Sequence, residues 1–265
     1  MAWERITKVL VPLDGSAASR RALGPGLRIA RRVGCPLELV TVYDAVRHAW
    51  ERELDELAEQ TGYERADVAL VSSAAPGDVI ASMAREHPGT LVCMSTQGRS
   101  AVDRMLLGSV TSYVLAARGA PVLLVGPAYS DATPERYEQL VVCLDRSGRD
   151  RALLRVAEHW ARALDLTVEL VHVVPPDRQN VRAELDDYLA DLADQLTDQG
   201  RPATRTVLAA PHVAPAIAEV LASRTAALAV IAPRGRTGLR RLLVGSVTAE
   251  VLAASPAPLL IAPVE

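Results

Sequence analysis

The stretch Thr90–Val125, TLVCMSTQGRSAVDRMLLGSVTSYVLAARGAPVLLV, returns near the other end of the chain as Ala227–Ile261, ALAVIAPRGRTGLRRLLVGSVTAEVLAASPAPLLI. Both copies run through an apolar strand, a QGR or RGR loop, a Gly-Ser that opens a helix, and an Ala-Pro strand. In each, one glycine precedes a Gly-Ser pair by ten positions: Gly98 with Gly108-Ser109, and Gly235 with Gly245-Ser246. A repeat at this scale marks two structural units rather than one.

Working outward, each copy is preceded by an alternation of apolar runs and amphipathic segments. Lys8-Val-Leu-Val-Pro-Leu-Asp14 is a short continuous apolar run ending in an acid, which suits a strand covered on both faces. Asp14-Gly15-Ser16 has the chemistry of a turn and helix cap, and a helix is expected through Arg32, with a kink or break at Gly24-Pro25-Gly26. Strands are expected over Leu37–Tyr43, Ala66–Val71, Leu91–Ser95 and Pro121–Val125. Helices are expected around Trp50, Leu54, Leu57 and Ala58, over Gly77–His87, and over Ser109–Arg118. Five strands alternating with helices predict a parallel α/β sheet with helices on both faces.

The pattern then restarts. Leu140-Val-Val-Cys-Leu-Asp145 repeats the acid-ended strand, and Val181, Leu185, Leu189, Leu192 and Leu196 form a helical stripe. Asp145 lies 131 positions after Asp14, whereas Gly235 lies 137 after Gly98, so the second half carries extra residues, expected in a longer second helix. The expected organisation is a domain over residues 1–126, a polar linker over 127–136 and a second domain over 137–265.

Composition narrows the function. A net charge of -3 and 3% aromatic residues argue against a nucleic-acid binder, and the arginine-rich segment Arg234–Arg241 reads as anion contacts and solvated surface. Lys8 is the sole lysine, which excludes a P-loop or a Schiff base elsewhere. Cys35, Cys93 and Cys143 form no CxxC pair and read as buried small hydrophobes. No apolar run approaches the length of a membrane span and no leader precedes the first strand, so a cytoplasmic location is expected.

If the strands order as 3-2-1-4-5, the ends of strands 1 and 4 flank the point where ligands sit in such sheets. Asp14 would then face the Gly98 loop across one crevice. Gly98 lets backbone approach a ligand, and the helix opened by Gly108-Ser109 offers free N–H groups to phosphate oxygens. Ser109 and Thr111 add hydroxyls, Arg99 adds charge, and Asp14 suits ribose hydroxyls. That chemistry is an adenine nucleotide site. The alternative reading, glycines serving only a tight turn and an ordinary helix cap, weakens because the arrangement occurs twice.

At Pro12-Leu-Asp-Gly-Ser16 and at GRS…LLGSVT the chain resembles the universal stress protein family in its tandem form, over nearly its whole length. The resemblance implies two doubly wound domains with strand order 3-2-1-4-5 and an adenine nucleotide, ATP with or without Mg2+. It implies adenine and ribose contacts at Pro12, Asp14, Val42 and Met94, and phosphate contacts at Gly98, Arg99, Gly108, Ser109, Val110 and Thr111. The second-half counterparts are Asp145, Val173, Ile231, Gly235, Arg236, Gly245, Ser246, Val247 and Thr248. It also implies pairing through the last strand, hence an internal pseudo-dimer of the two halves, a homodimer, and regulatory protein partners. The chain departs from the family at Ser95 and Ala232, which stand where the motif has its first glycine, and at Cys143 and Arg146, which replace Pro12 and Gly15. Ser95 can still hydrogen-bond and Ala232 cannot, which favours the first-half site.

Three function classes remain: a nucleotide-dependent regulator, an enzyme such as an ATPase, and an assembly protein in which neither site binds nucleotide and which acts through dimerisation and partner binding. Efficient hydrolysis needs a metal site and a positioned base. Asp103 is answered by Arg240 in the other half, and His48, His87, His159, His172 and His212 do not repeat. The regulator is the expected class.

Overall fold

Each of two sets of five apolar runs pairs as parallel strands. The computed structural model describes residues 5–43, 49–97, 107–117, 119–129, 135–232 and 245–262. The chain divides into two compact units, Met1–Pro127 and Ala128–Glu265.

In the first unit the strands are β1 (Lys8–Pro12), β2 (Leu37–Tyr43), β3 (Ala66–Ser72), β4 (Thr90–Ser95) and β5 (Val122–Val125). The helices are α1 (Ala17–Arg20), α2 (Leu23–Val33), α3 (Ala49–Gln60), α4 (Pro76–Glu86) and α5 (Ser109–Ala117). All strand pairs are parallel, in the order β3-β2-β1-β4-β5. Both β1 and β4 are buried almost throughout, as continuous apolar strands covered on two faces must be.

The second unit repeats this with β6 (Gln139–Cys143), β7 (Thr167–Val174), β8 (Ala203–Ala209), β9 (Ala227–Ile231) and β10 (Leu259–Ile261). Its pairs are again parallel, in the order β8-β7-β6-β9-β10. The helices are α6 (Asp150–Leu164), α7 (Arg182–Asp198), α8 (Val213–Ala222) and α9 (Ser246–Ala254). Both units therefore have the doubly wound order 3-2-1-4-5. The predicted stripe Leu185, Leu189, Leu192 and Leu196 is the buried face of α7, which has 17 residues against 12 in α3.

One local expectation shifts. The helix does not break at Gly24-Pro25-Gly26; α1 ends at Arg20 and α2 starts at Leu23, with Pro25 inside its first turn. A first-turn residue has no intrahelical acceptor for its N–H, so proline is tolerated there. Gly26 is required for another reason: a Cβ there would meet Val11 Cγ2 at 2.9 Å and Val9 Cγ1 at 3.3 Å, so its absence lets α2 lie directly on β1.

The cores are mainly aliphatic, with Leu10, Ile29, Leu37, Leu91 and Leu123 fully buried in the first unit, and Leu140, Leu153 and Leu164 in the second, where Trp160 joins them. Each contributes roughly 1.5–3 kcal/mol by leaving water. Among the described residues no helix is long and apolar enough to cross a membrane.

Candidate functional site

In each sheet the first and fourth strands are neighbours whose connections leave in opposite directions, which opens a crevice beyond their carboxyl ends. Register decides what faces it. Leu10 pairs with Val92 and Pro12 with Val40, and residues two apart in a strand share a face. Pro12, Val42 and Met94 therefore lie on one face of the sheet, and Asp14 follows Pro12 at its rim. The second sheet repeats the arrangement: Cys143 pairs with both Ile231 and Val171, so Cys143, Val173 and Ile231 share a face ahead of Asp145.

The acid loop is shaped by its own carboxylate. Asp14 Oδ1 accepts from the Ser16 N–H at 3.0 Å and from its hydroxyl at 2.6 Å. Ser16 Oγ in turn accepts from Ser19 N–H at 3.1 Å and caps α1. Gly15 is left-handed at φ 84. In the second unit Asp145 Oδ1 accepts from Ser147 N–H at 3.0 Å, and Arg146 occupies the same left-handed turn at φ 55. The turn survives without glycine, and its left-handed conformation is one that a residue with a side chain rarely adopts.

Around the acid the two halves diverge. The Asp14 N–H donates to Ser19 Oγ at 3.3 Å; its counterpart on Asp145 donates to Asp150 Oδ1 at 3.5 Å. Asp150 is buried, and its Oδ2 accepts from Tyr188 of α7 at 3.0 Å. Arg146 pairs with Glu184, also of α7, and its guanidinium stands 5.8 Å from the Tyr188 ring centroid. Thr41 Oγ1 donates to Leu13 O at 3.0 Å, and His172 takes that place with Nδ1 3.0 Å from Leu144 O. Burial pushes the Asp150 carboxyl up, more than the Tyr188 bond lowers it, and the Asp145 charge adds to the rise. Tyr188 is pushed up to about 12 by burial and by the Asp150 charge, and burial lowers His172. Sequence reasoning missed Asp150 and Tyr188, because Ser19 in the other half hides the equivalence.

The helix that opens at the crevice is alike in both units. Gly108 and Val110 are half-buried, Ser109 is exposed and Thr111 is buried; Gly245, Val247, Ser246 and Thr248 match them in turn. The Gly108 N–H donates to Thr96 O at 2.8 Å, and Thr111 Oγ1 donates to Ser95 O at 3.1 Å, tying α5 to the end of β4. Among the described residues, a Cβ on Gly108 would meet only Thr96 O, at 3.6 Å, so their packing does not demand glycine there. Gly245 caps α9 without a side chain to satisfy the first-turn N–H groups. Ser95 is buried and its Oγ accepts from Gln97 N–H at 3.3 Å. The expected contacts Gly98, Arg99, Gly235 and Arg236 lie outside the described residues, as do Asp103 and His48.

The Universal stress protein family model matches residues 5–126 and again 136–263. The chain belongs to the universal stress protein family, as a tandem member. A universal stress protein of Mycobacterium tuberculosis is 28% identical over 190 residues, covering 65% of this chain and 61% of that relative. The chain thus spans about three fifths of the length of the curated relatives it first matches. A solved universal stress protein from Archaeoglobus fulgidus is 21% identical with a TM-score of 0.69, over 97% of this chain and 98% of that one, a likeness of fold. A shorter member from the same organism, solved in complex with dAMP, is 23% identical over 47% of this chain and 98% of its own, with a TM-score of 0.38.

Proposed function

We propose that this universal stress protein binds an adenine nucleotide, ATP with or without Mg2+, in the crevice of its first unit and acts as a nucleotide-dependent regulator in the cytoplasm. The observation that carries this is at Gly108. It opens α5 beside the ends of β1 and β4, and the packing of the described residues leaves room for a side chain there that the sequence does not use. Backbone N–H groups at a helix start suit phosphate oxygens. Pro12, Val42 and Met94 give the purine an apolar floor, and Asp14 stands at the rim for the ribose. Gly98, Arg99, Ser109 and Val110 complete the phosphate end, with Thr111 holding the loop through its bond to Ser95.

The second unit carries the same elements in Asp145, Val173, Ile231, Gly235, Arg236, Gly245, Ser246, Val247 and Thr248. Regulation rather than turnover is the reading because Asp103 of the first loop is answered by Arg240 in the second half and the five histidines do not repeat, so the sequence offers no repeated base beside the loops. Self-association as a homodimer and contact with regulatory proteins are part of the same proposal. A second reading, assembly without nucleotide, is favoured by the side chains of Ser95 and Ala232 where the family motif has glycine.

The test is to denature the purified protein, chromatograph the supernatant for adenine nucleotide, and titrate ATP into the stripped protein by calorimetry. Saturable binding lost in Gly108→Val supports the regulator. A folded protein with no nucleotide and no heat leaves assembly.

A further inference from the structure

Thr96 follows the last residue of β4. Its N–H donates to Val125 O at 3.0 Å, so the ladder with β5 continues through it. Its carbonyl accepts the Gly108 N–H. By the two-residue alternation of the strand, its side chain lies on the face of Met94 and Pro12, the face proposed to hold the nucleotide. The residue is 1% exposed, and its hydroxyl finds no hydrogen-bond partner. Thr41, Thr61, Thr90 and Thr111 are other buried threonines of this unit, and each donates to a backbone carbonyl. An orphaned buried hydroxyl forfeits its hydration for nothing, so its persistence calls for a partner that the chain itself does not supply. In the second half the position of Thr96 is held by Pro233, which has no hydroxyl to offer.

We infer that Thr96 is a ligand-binding residue of the first crevice, its hydroxyl completing its hydrogen bonding on a polar atom of the bound adenine nucleotide. The inference rests on the nucleotide reading above and extends it: the first unit has a polar contact that the second lacks, which separates the affinities of the two crevices. The hydroxyl is a cost to the empty protein and a gain to the complex, so its removal moves stability and affinity in opposite directions. A structural hydroxyl moves only stability, and downward.

The test compares Thr96→Val, which keeps the shape and removes the hydroxyl, with Thr96→Ser, which keeps the hydroxyl. Each is measured for thermal unfolding without ligand and for ATP binding by calorimetry. Expected for Thr96→Val are a ligand-free Tm raised by about 2 °C or more and ATP binding weakened about fivefold, with Thr96→Ser binding within about twofold of the parent. A Thr96→Val protein that binds ATP like the parent overturns this inference and leaves the nucleotide reading intact. A Thr96→Val protein with a lowered ligand-free Tm overturns it in favour of an internal partner. A folded parent that binds no ATP overturns both.

Discussion

The phenolic hydroxyl of Tyr188 donates to Asp150 Oδ2 across 3.0 Å, while the other oxygen of that carboxylate holds the Asp145 N–H. Helix α7 is thereby fastened to the acid loop of the second crevice. Tyr188→Phe removes a hydrogen bond to a buried charge and should lower stability by about 2 kcal/mol. Thermal unfolding of the variant beside the parent at neutral pH checks this; an unchanged Tm would show that the bond holds nothing.

The same carboxylate predicts a pH dependence. Burial raises the folded pKa of Asp150 above its unfolded value. The proton it binds in the folded state therefore stabilises at low pH, and that contribution is lost as pH rises through the folded pKa. Asp150→Asn keeps an acceptor for the Asp145 N–H and has no proton to lose. Its Tm relative to the parent should climb from pH 4 to pH 7, by about 2 °C or more. A constant difference across that range would contradict the assignment.

Two glycines separate packing from ligand space. Gly26→Ala forces a Cβ to 2.9 Å from Val11 and should destabilise by about 1–3 kcal/mol. Gly108→Ala meets nothing among the described residues closer than 3.6 Å and should change stability by less than about 1 kcal/mol while weakening ATP binding roughly tenfold or more. Chemical denaturation and calorimetry on the two variants give the four numbers needed.

Near the start of β7, Glu169 accepts from Arg224 at 2.9 and 3.0 Å, from Thr206 at 2.8 Å and from Gln139 at 3.1 Å. Burial pushes its carboxyl up, but these bonds outweigh burial and hold it below the usual range. The stabilisation is then complete above the ordinary glutamate pKa and drains away as pH falls through the lowered one. Glu169→Ala should cost about 3 kcal/mol at pH 7 and progressively less in acid. Acid unfolding of parent and variant measures the convergence.

What the sequence made legible is whatever rests on periodicity and repetition. Continuous apolar runs gave the parallel strands, the stripe from Leu185 to Leu196 gave the buried face of α7, and the twin Gly-Ser helices gave the crevices. The strand order came from the family resemblance, since spacing alone does not dictate pairing. Proline at position 25 misled because its effect depends on where in a helix it falls, a boundary that local sequence leaves open by several residues. Thr96 was invisible for a deeper reason. An unsatisfied hydroxyl is a property of its surroundings, and nothing in the string TLVCMST distinguishes Thr96 from Thr90, whose hydroxyl donates to His87 O.

Lys8 sits at the start of β1, paired with Glu38 of β2, its side chain only 17% exposed. As the one lysine in 265 residues, it leaves the surface of this chain without a single freely presented ε-amine. Side-chain acetylation, ubiquitin ligation and cross-linking through lysine begin at such a group, and here they meet an ammonium paired with a carboxylate at the start of a strand. Side-chain amine modification of this chain is therefore confined to one ion-paired group, and a labelling strategy built on lysine chemistry has a single target in it.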